Sequence, residues 1–330
     1  MIRFEPGYGR RRTDQGRIVA LRATGLGDLL LVVPALRALR RRFPAHEIVL
    51  ACPGRYSELV DLFGAVDGVI HSNGQGSLGQ VMEEASLTVN LHGPGTTSRS
   101  ALATAPASRT ITFALPGCPA PQGAPVWRPG ENERARWCRL LDECGIPADA
   151  ADFRLPLPPL KVPNALRGAS VIHPGAAFHS QTWPAKRWAQ IARMEAEEGR
   201  TVVITGDARE APMATEIASK ARLDPSSVLA GATTLPQLAA LIGQAGRIAC
   251  GDTGVGHLAV ALGTPSVQLF GAASPEEWGP PPELRYRHRV ITADRRQEKR
   301  SGDGSGLMAI DAPVVADELR RLPDVRSASR

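Results

Sequence analysis

The amino-acid sequence predicts an α/β protein made of two doubly wound parallel-sheet domains, and three observations carry that prediction. The chain has 330 residues, more than one core usually organises and suited to two domains of ordinary size. Apolar strands alternate with amphipathic helices in two separate runs, over about 17–144 and about 169–322. Between the runs lies a proline-rich segment, Leu155-Pro156-Leu157-Pro158-Pro159 through Pro163, which reads as a linker. The expected organisation is a basic tail over 1–16, a first domain over 17–160, a second over 165–305, and a terminal helix over 306–330 able to cross back onto the first domain. In such a pair ligands bind beyond the strand C-terminal ends, in the cleft between the domains.

The first strand spans about 17–22 and runs into Ala23-Thr24-Gly25-Leu26-Gly27-Asp28. Leu29, Val32, Val33, Leu36 and Leu39 then recur near helical spacing. Pro34 is tolerable in a first turn, and Arg40–Arg42 with Pro44 end the helix. Glu47–Cys52 forms the next strand, giving a βαβ unit and a parallel sheet. A helix near 55–63, strands near 69–71, 87–91 and 109–114, a long loop over 115–130 and a helix over 131–144 complete the first run. The second run reads as a strand over 169–173, a helix over 185–198, a strand over 200–205 and a helix over 209–221. A short strand near 228–229, a helix over 235–245, a strand over 247–250, a helix over 254–262, a last strand over 266–270 and a terminal helix over 311–322 follow.

Composition narrows the function classes. Hydrophobic residues make up 43% and charged residues 22%, an ordinary balance for a soluble globular protein. A net charge of +6 suits a phosphate-bearing ligand, an anionic surface or nucleic acid. Nucleic acid is disfavoured: the arginine clusters at Arg10–Arg12, Arg40–Arg42 and 295–300 read as solvated runs or helix-end cations, without aromatic-interleaved basic strands. The five cysteines, Cys52, Cys118, Cys138, Cys144 and Cys250, form no CxxC pair, so neither a disulfide framework nor a structural zinc site is expected. Residues 1–16 lack the apolar core of a signal peptide, and runs such as Leu29–Val33 are too short for a membrane span. The expectation is a cytoplasmic monomer with no transmembrane segment and at most peripheral membrane contact.

Three constellations carry chemistry. Thr24-Gly25-Leu26-Gly27-Asp28 has Gly-x-Gly, but Leu30 replaces the third glycine of a dinucleotide fingerprint. Asp28 reads either as a helix cap or as a general base aimed at a hydroxyl. Cys250-Gly251-Asp252-Thr253-Gly254-Val255-Gly256-His257-Leu258 joins a strand to a helix through small residues, which suits phosphate at the helix N-terminus; the plainer reading is a turn with Asp252 as cap. His173-Pro174-Gly175-Ala176 ends a third strand, and Gln181-Thr182-Trp183-Pro184-Ala185-Lys186-Arg187-Trp188 opens the helix beyond, with Trp188 in the core. Glu210 could accept two ribose hydroxyls or sit idle on its helix.

Together these motifs, with Val89-Asn90-Leu91-His92-Gly93 and Phe270-Gly271, resemble glycosyltransferase family 9, the heptosyltransferase-like enzymes, from Ile18 to about Pro282. The resemblance implies a GT-B fold of two Rossmann-like domains and inverting transfer without a metal or cofactor. It implies a nucleoside-diphosphate-sugar donor of heptose or a related hexose, such as ADP-heptose, and a hydroxyl acceptor on a lipopolysaccharide core, another glycan, a lipid-linked saccharide or a small natural product. Asp28 matches the family's catalytic base, in the turn of Gly25 and Gly27. His173, Gly175, Gln181, Lys186, Glu210, Asp252, Thr253, Gly254 and His257 fall on the donor side, and Thr24, Asn90 and His92 on the acceptor side. One departure matters: the family commonly has Lys or Arg two residues before the Trp-Pro pair, where this chain has Gln181. Lys186 or Arg187 takes over, or Arg22 contributes across the cleft, or donor binding is weak.

The rival readings are an NAD-dependent oxidoreductase and a non-catalytic nucleotide-sugar-binding protein. Against the first stand the missing third glycine and an aspartate placed to repel pyrophosphate. Gln181 is the main support for the second.

Overall fold

The computed structural model describes residues 16–72, 85–95, 98, 109–175, 182–292 and 306–323. The chain divides between Leu155 and Pro156 into two compact units. The first holds the parallel strands β1 (Arg17–Leu21), β2 (Glu47–Cys52), β3 (Gly68–His71), β4 (Ala85–Asn90) and β5 (Thr110–Ile111), in the order β3-β2-β1-β4-β5. Ile18, Val19 and Ala20 are fully buried, as expected of a central strand covered on both faces. The chain winds outward through β2 and β3, then returns to the other side of β1 through β4. That reversal is the switch point at which sheets of this kind bind ligands. Leu21 is in register with both Ala51 and Asn90, so the segments leaving β1 and β4 emerge side by side.

The second unit holds β6 (Ser170–His173), β7 (Val202–Ile204), β8 (Arg247–Gly251), β9 (Ser266–Phe270) and β10 (His288–Thr292), in the order β10-β9-β8-β6-β7, with one strand on one side of β6 and three on the other. Its strands are also parallel, and its switch point lies between β6 and β8. Trp183, Trp188, Ile191, Ile217, Val267 and Leu269 build its core.

Several elements differ from expectation. The first helix is two, α1 (Leu26–Leu31) and α2 (Val33–Arg42), broken at Val32. Pro34, in the first turn of α2, lacks the N–H that a continuous helix would donate to the Leu30 carbonyl. The helix near 55–63 shrinks to α3 (Ser57–Val60) between 3-10 turns at Gly54–Tyr56 and Asp61–Phe63. The strand over 109–114 contracts to β5, because the Ala114 N–H bonds Pro125 O at 2.6 Å and closes the following loop on itself. Val228 makes only a single bridge, to Ile204. The strand read as last is followed by β10.

The remaining helices are α4 (Glu133–Glu143), α5 (Ala185–Glu197), α6 (Ala211–Ala221), α7 (Leu235–Gly243), α8 (Gly254–Leu262), α9 (Pro275–Trp278) and α10 (Ala312–Arg320). The terminal helix, α10, packs against the core of the second unit. Val315 and Leu319 join the second core. Trp183 Nε1 donates to Ile310 O at 3.0 Å, and Arg187 donates to Met308 O and Ile310 O, each at 2.7 Å. Among the described residues no helix is long and apolar enough to cross a membrane.

Candidate active site

In the first unit the site is built around Arg22, which leaves β1 and is 1% exposed. Its Nη1 donates to Leu91 O at 2.6 Å, at the end of β4. Its Nη2 donates to Asp28 Oδ1 at 2.8 Å and to Glu133 Oε1 at 2.9 Å. The Trp137 ring lies against the guanidinium, 5.1 Å from centroid to Cζ. Asp28 is the third residue of α1, and its Oδ2 accepts the Gly25 N–H at 3.2 Å. Gly25, not Asp28, is therefore the cap residue, with Gly27 buried behind it. Both carboxylate oxygens of Asp28 are oriented, yet 28% of the side chain stays open to solvent. A fixed, accessible carboxylate is what general-base chemistry needs.

His92 lies beside this pair. Its Nδ1 accepts the Ala23 N–H at 3.1 Å, which assigns the ring proton to Nε2. Burial, and then the positive charge of Arg22, push the pKa of His92 below its ordinary value, with Asp28 acting the other way. Asn90 is 2% exposed and braces this loop: its Oδ1 accepts the His92 N–H at 3.0 Å and its Nδ2 donates to Thr112 Oγ1 at 3.3 Å. It thus holds His92 in place. Thr24 Oγ1 is buried without a hydrogen-bond partner.

In the second unit His173 ends β6, with Nδ1 3.0 Å from Thr205 Oγ1. Burial pushes its pKa down to about 4, against a smaller upward pull from Asp207. Gly175 and Gly206 face the Glu210 carboxylate so closely that a Cβ at either position would collide with it. Glu210 Oε2 accepts the Asp207 N–H at 2.7 Å. These glycines seat Glu210 against the ends of β6 and β7.

Helix α8 starts at the end of β8. Its cap residue is Thr253, not Asp252, whose N–H is bound to Leu269 O at 2.9 Å. The Thr253 hydroxyl makes no capping bond and is buried without a partner. The N–H groups of Gly254 and Val255, in the first turn, have no acceptor within the helix. His257 sits one turn further on, its N–H on Thr253 O at 3.3 Å. Gly256 packs against Cys250 and Gln268, where a Cβ would lie 3.3 Å from Cys250 Sγ and 3.0 Å from Gln268 Oε1, so α8 approaches its sheet closely. A polar hydroxyl and open amides at a helix N-terminus suit a diphosphate.

Gln181 lies outside the described residues. Of its expected substitutes, Arg187 is committed to Met308, Ile310 and Asp311, and Arg22 to the carboxylates of Asp28 and Glu133 and three carbonyls. Lys186 is exposed at the second position of α5. Sequence reasoning missed Glu133 and Trp137. Their signal was present: Glu133, Arg136 and Trp137 fall at i, i+3 and i+4, one face of α4.

The pattern of Glycosyltransferase family 9 (heptosyltransferase) matches residues 111–303. Lipopolysaccharide heptosyltransferase 2 of Escherichia coli is 33% identical over 159 residues, 45% of this chain and 45% of that protein. Lipopolysaccharide heptosyltransferase 1 of Pseudomonas aeruginosa is 30% identical over 146 residues, 44% of this chain and 40% of that protein. The chain thus aligns with less than half of the length of these relatives. Among solved structures, the family 9 glycosyl transferase of Veillonella parvula is similar with a TM-score of 0.72 at 20% identity, covering 94% of this chain and 98% of that one. The ADP-heptose lipopolysaccharide heptosyltransferase II of Escherichia coli gives 0.68 at 24%, covering 92% and 97%. An Escherichia coli heptosyltransferase solved with ADP gives 0.70 at 16%, covering 92% and 99%. These likenesses show the fold, GT-B. With more than half of its length matched by the family pattern, the chain belongs to glycosyltransferase family 9.

Proposed function

We propose that the protein is a heptosyltransferase-type glycosyltransferase that moves a heptose or related hexose from a nucleoside-diphosphate sugar to a hydroxyl of a lipopolysaccharide core or another glycan. The observation that carries this reading is Asp28, a carboxylate oriented through both oxygens and still open to solvent. In the proposed step the acceptor oxygen attacks the anomeric carbon as its proton passes to Asp28. The bond from that carbon to the diphosphate breaks, and the electron pair leaves with the nucleoside diphosphate. One displacement inverts the anomeric centre. The N–H groups at the start of α8 and the Thr253 hydroxyl meet the charge that grows on the leaving group, a role otherwise given to a metal ion. Glu210 takes the ribose, and ADP is the expected leaving nucleotide. Thr24 and His92 face the acceptor, the reaction proceeding at the cytoplasmic side of the membrane.

Asp28→Asn tests the reading. Removing a general base costs about 10²- to 10⁴-fold in kcat. The expected outcome is such a loss in transfer from ADP-heptose, with ADP affinity by calorimetry within about twofold of the parent. Turnover should persist in EDTA. A variant that still transfers at the parent rate removes Asp28 as base. A parent that binds ADP but transfers nothing to any hydroxyl acceptor makes the chain a binding protein.

A further inference from the structure

We propose that Glu133 is a positioning residue for this reaction: a buried carboxylate that acts through Arg22 to set how readily Asp28 takes a proton. The inference rests on Asp28 as the base. One nitrogen, Arg22 Nη2, bonds both carboxylates, Asp28 Oδ1 at 2.8 Å and Glu133 Oε1 at 2.9 Å. A guanidinium facing Asp28 alone would favour its ionised form and make it a reluctant base. Glu133 draws on the same nitrogen, so Arg22 orients Asp28 without committing its whole charge to it.

The arrangement is held from α4. Glu133 Oε2 is paired with Arg136, and Glu133 Oε1 also accepts the Trp137 Nε1–H at 2.9 Å. Trp137 therefore touches both partners, its ring against Arg22 and its N–H on Glu133. Side-chain exposure is 1% for Arg22 and 4% for Glu133, against 28% for Asp28, so the interaction is poorly screened at one end and reaches solvent at the other. Burying a second carboxylate carries a desolvation cost that packing alone does not require, since Arg22 already has Asp28 and the carbonyls of Leu91 and His92. Among the described residues, the charged and titratable groups around Asp28 are Arg22 from the end of β1, His92 from the end of β4, and Glu133 and Arg136 from α4, with Glu131 Oε2 3.9 Å beyond Arg136 Nε. His92, accepting at Nδ1, adds no positive charge.

The test is the pH profile of transfer. In Glu133→Gln the acid limb of kcat should move to lower pH by about one unit, and kcat at the optimum should fall about tenfold. The KM for either substrate should stay within about threefold, because neither is touched. Trp137→Phe keeps the ring under Arg22 but removes a donor from Glu133, so its acid limb should move the opposite way, by a fraction of a unit. A merely structural lesion would shift both variants alike, or raise KM. An unmoved limb in folded Glu133→Gln, or movement of both variants in one direction, overturns the proposal. If Glu133→Gln does not fold by circular dichroism, Trp137→Phe decides it: an upward shift supports it and any other result overturns it. Asp28→Asn keeps the two ideas separable. If that variant is inactive while the Glu133→Gln limb stays in place, only the role of Glu133 fails. If it remains active, the base assignment itself fails.

Discussion

His173 ends a strand whose four residues are all buried, and its only described side-chain partner is a hydroxyl. Burial makes the native state resist its protonation, against a smaller pull from Asp207, and its pKa falls to about 4, whereas the unfolded chain titrates near 6.5. Above that upper value the ring is neutral in both states and costs nothing. As pH falls below it, the unfolded chain takes up a proton that the native protein refuses, so stability is lost progressively until about pH 4. The gap is worth about 3 kcal/mol. His173→Gln should flatten that part of the stability profile relative to the parent, measured by urea unfolding between pH 7 and pH 4.5. Equal slopes in the two proteins would mean that the buried ring titrates freely. At this scale the sequence was legible where chemistry is local: the glycine turn before Asp28 and the small residues after Asp252 announce themselves within six positions. Arg22 was read only as a substitute donor contact, and its central place in the site was hidden because its partners, Leu91 and Glu133, lie 69 and 111 residues away. Glu133 on its own reads as an ordinary acidic residue in a first helical turn.

Among elements, apolar periodicity located most strands and helices, and its failures have local causes. A helical stripe from Leu29 to Leu39 does not reveal the break at Val32, because both short helices bury the same kind of face and only the missing N–H of Pro34 separates them. The strand β10 went unseen because its five residues, with His288 and Arg289 at the start, are too polar to read as sheet. They are ordered by pairing with β9. The place of α10 was equally invisible, since it is decided by two side chains of which one, Trp183, reads only as part of a family motif and the other, Arg187, as a substitute phosphate contact. The Trp183-Pro184 pair and Arg187 pin the segment before α10: both donate to the Ile310 carbonyl, at 3.0 and 2.7 Å. Trp183→Phe and Arg187→Ala should each cost about 1 kcal/mol, because one donor still satisfies that carbonyl. The double variant should cost more than the sum of the two, by roughly 1 kcal/mol. Strict additivity in denaturant unfolding would show that the carbonyl is not shared.

Across the whole molecule a parallel sheet with a switch point occurs twice, and each sheet presents a different chemistry there. The first offers an oriented carboxylate beside a neutral imidazole at the ends of β1 and β4. The second offers open amides and an unpartnered hydroxyl at the end of β8, with Glu210 seated at the ends of β6 and β7. An anion is repelled by Asp28 and attracted by the start of α8, which is why we propose that the nucleotide binds the second unit. That assignment predicts where ADP will leave its mark. The amides of Gly254 and Val255 lack intrahelical acceptors and should exchange with deuterated solvent quickly in the free protein. Saturating ADP should slow exchange over 253–257 and around Glu210, and leave 25–31 unchanged. At about 100 times its dissociation constant, ADP should also add about 2.7 kcal/mol to the stability of whatever folds with the second unit. Protection confined to 25–31 would reverse the assignment, and Asp28 would then face phosphate in place of an acceptor hydroxyl. A base cannot act from that position, so this one exchange pattern tests the division of labour on which the proposed reaction depends.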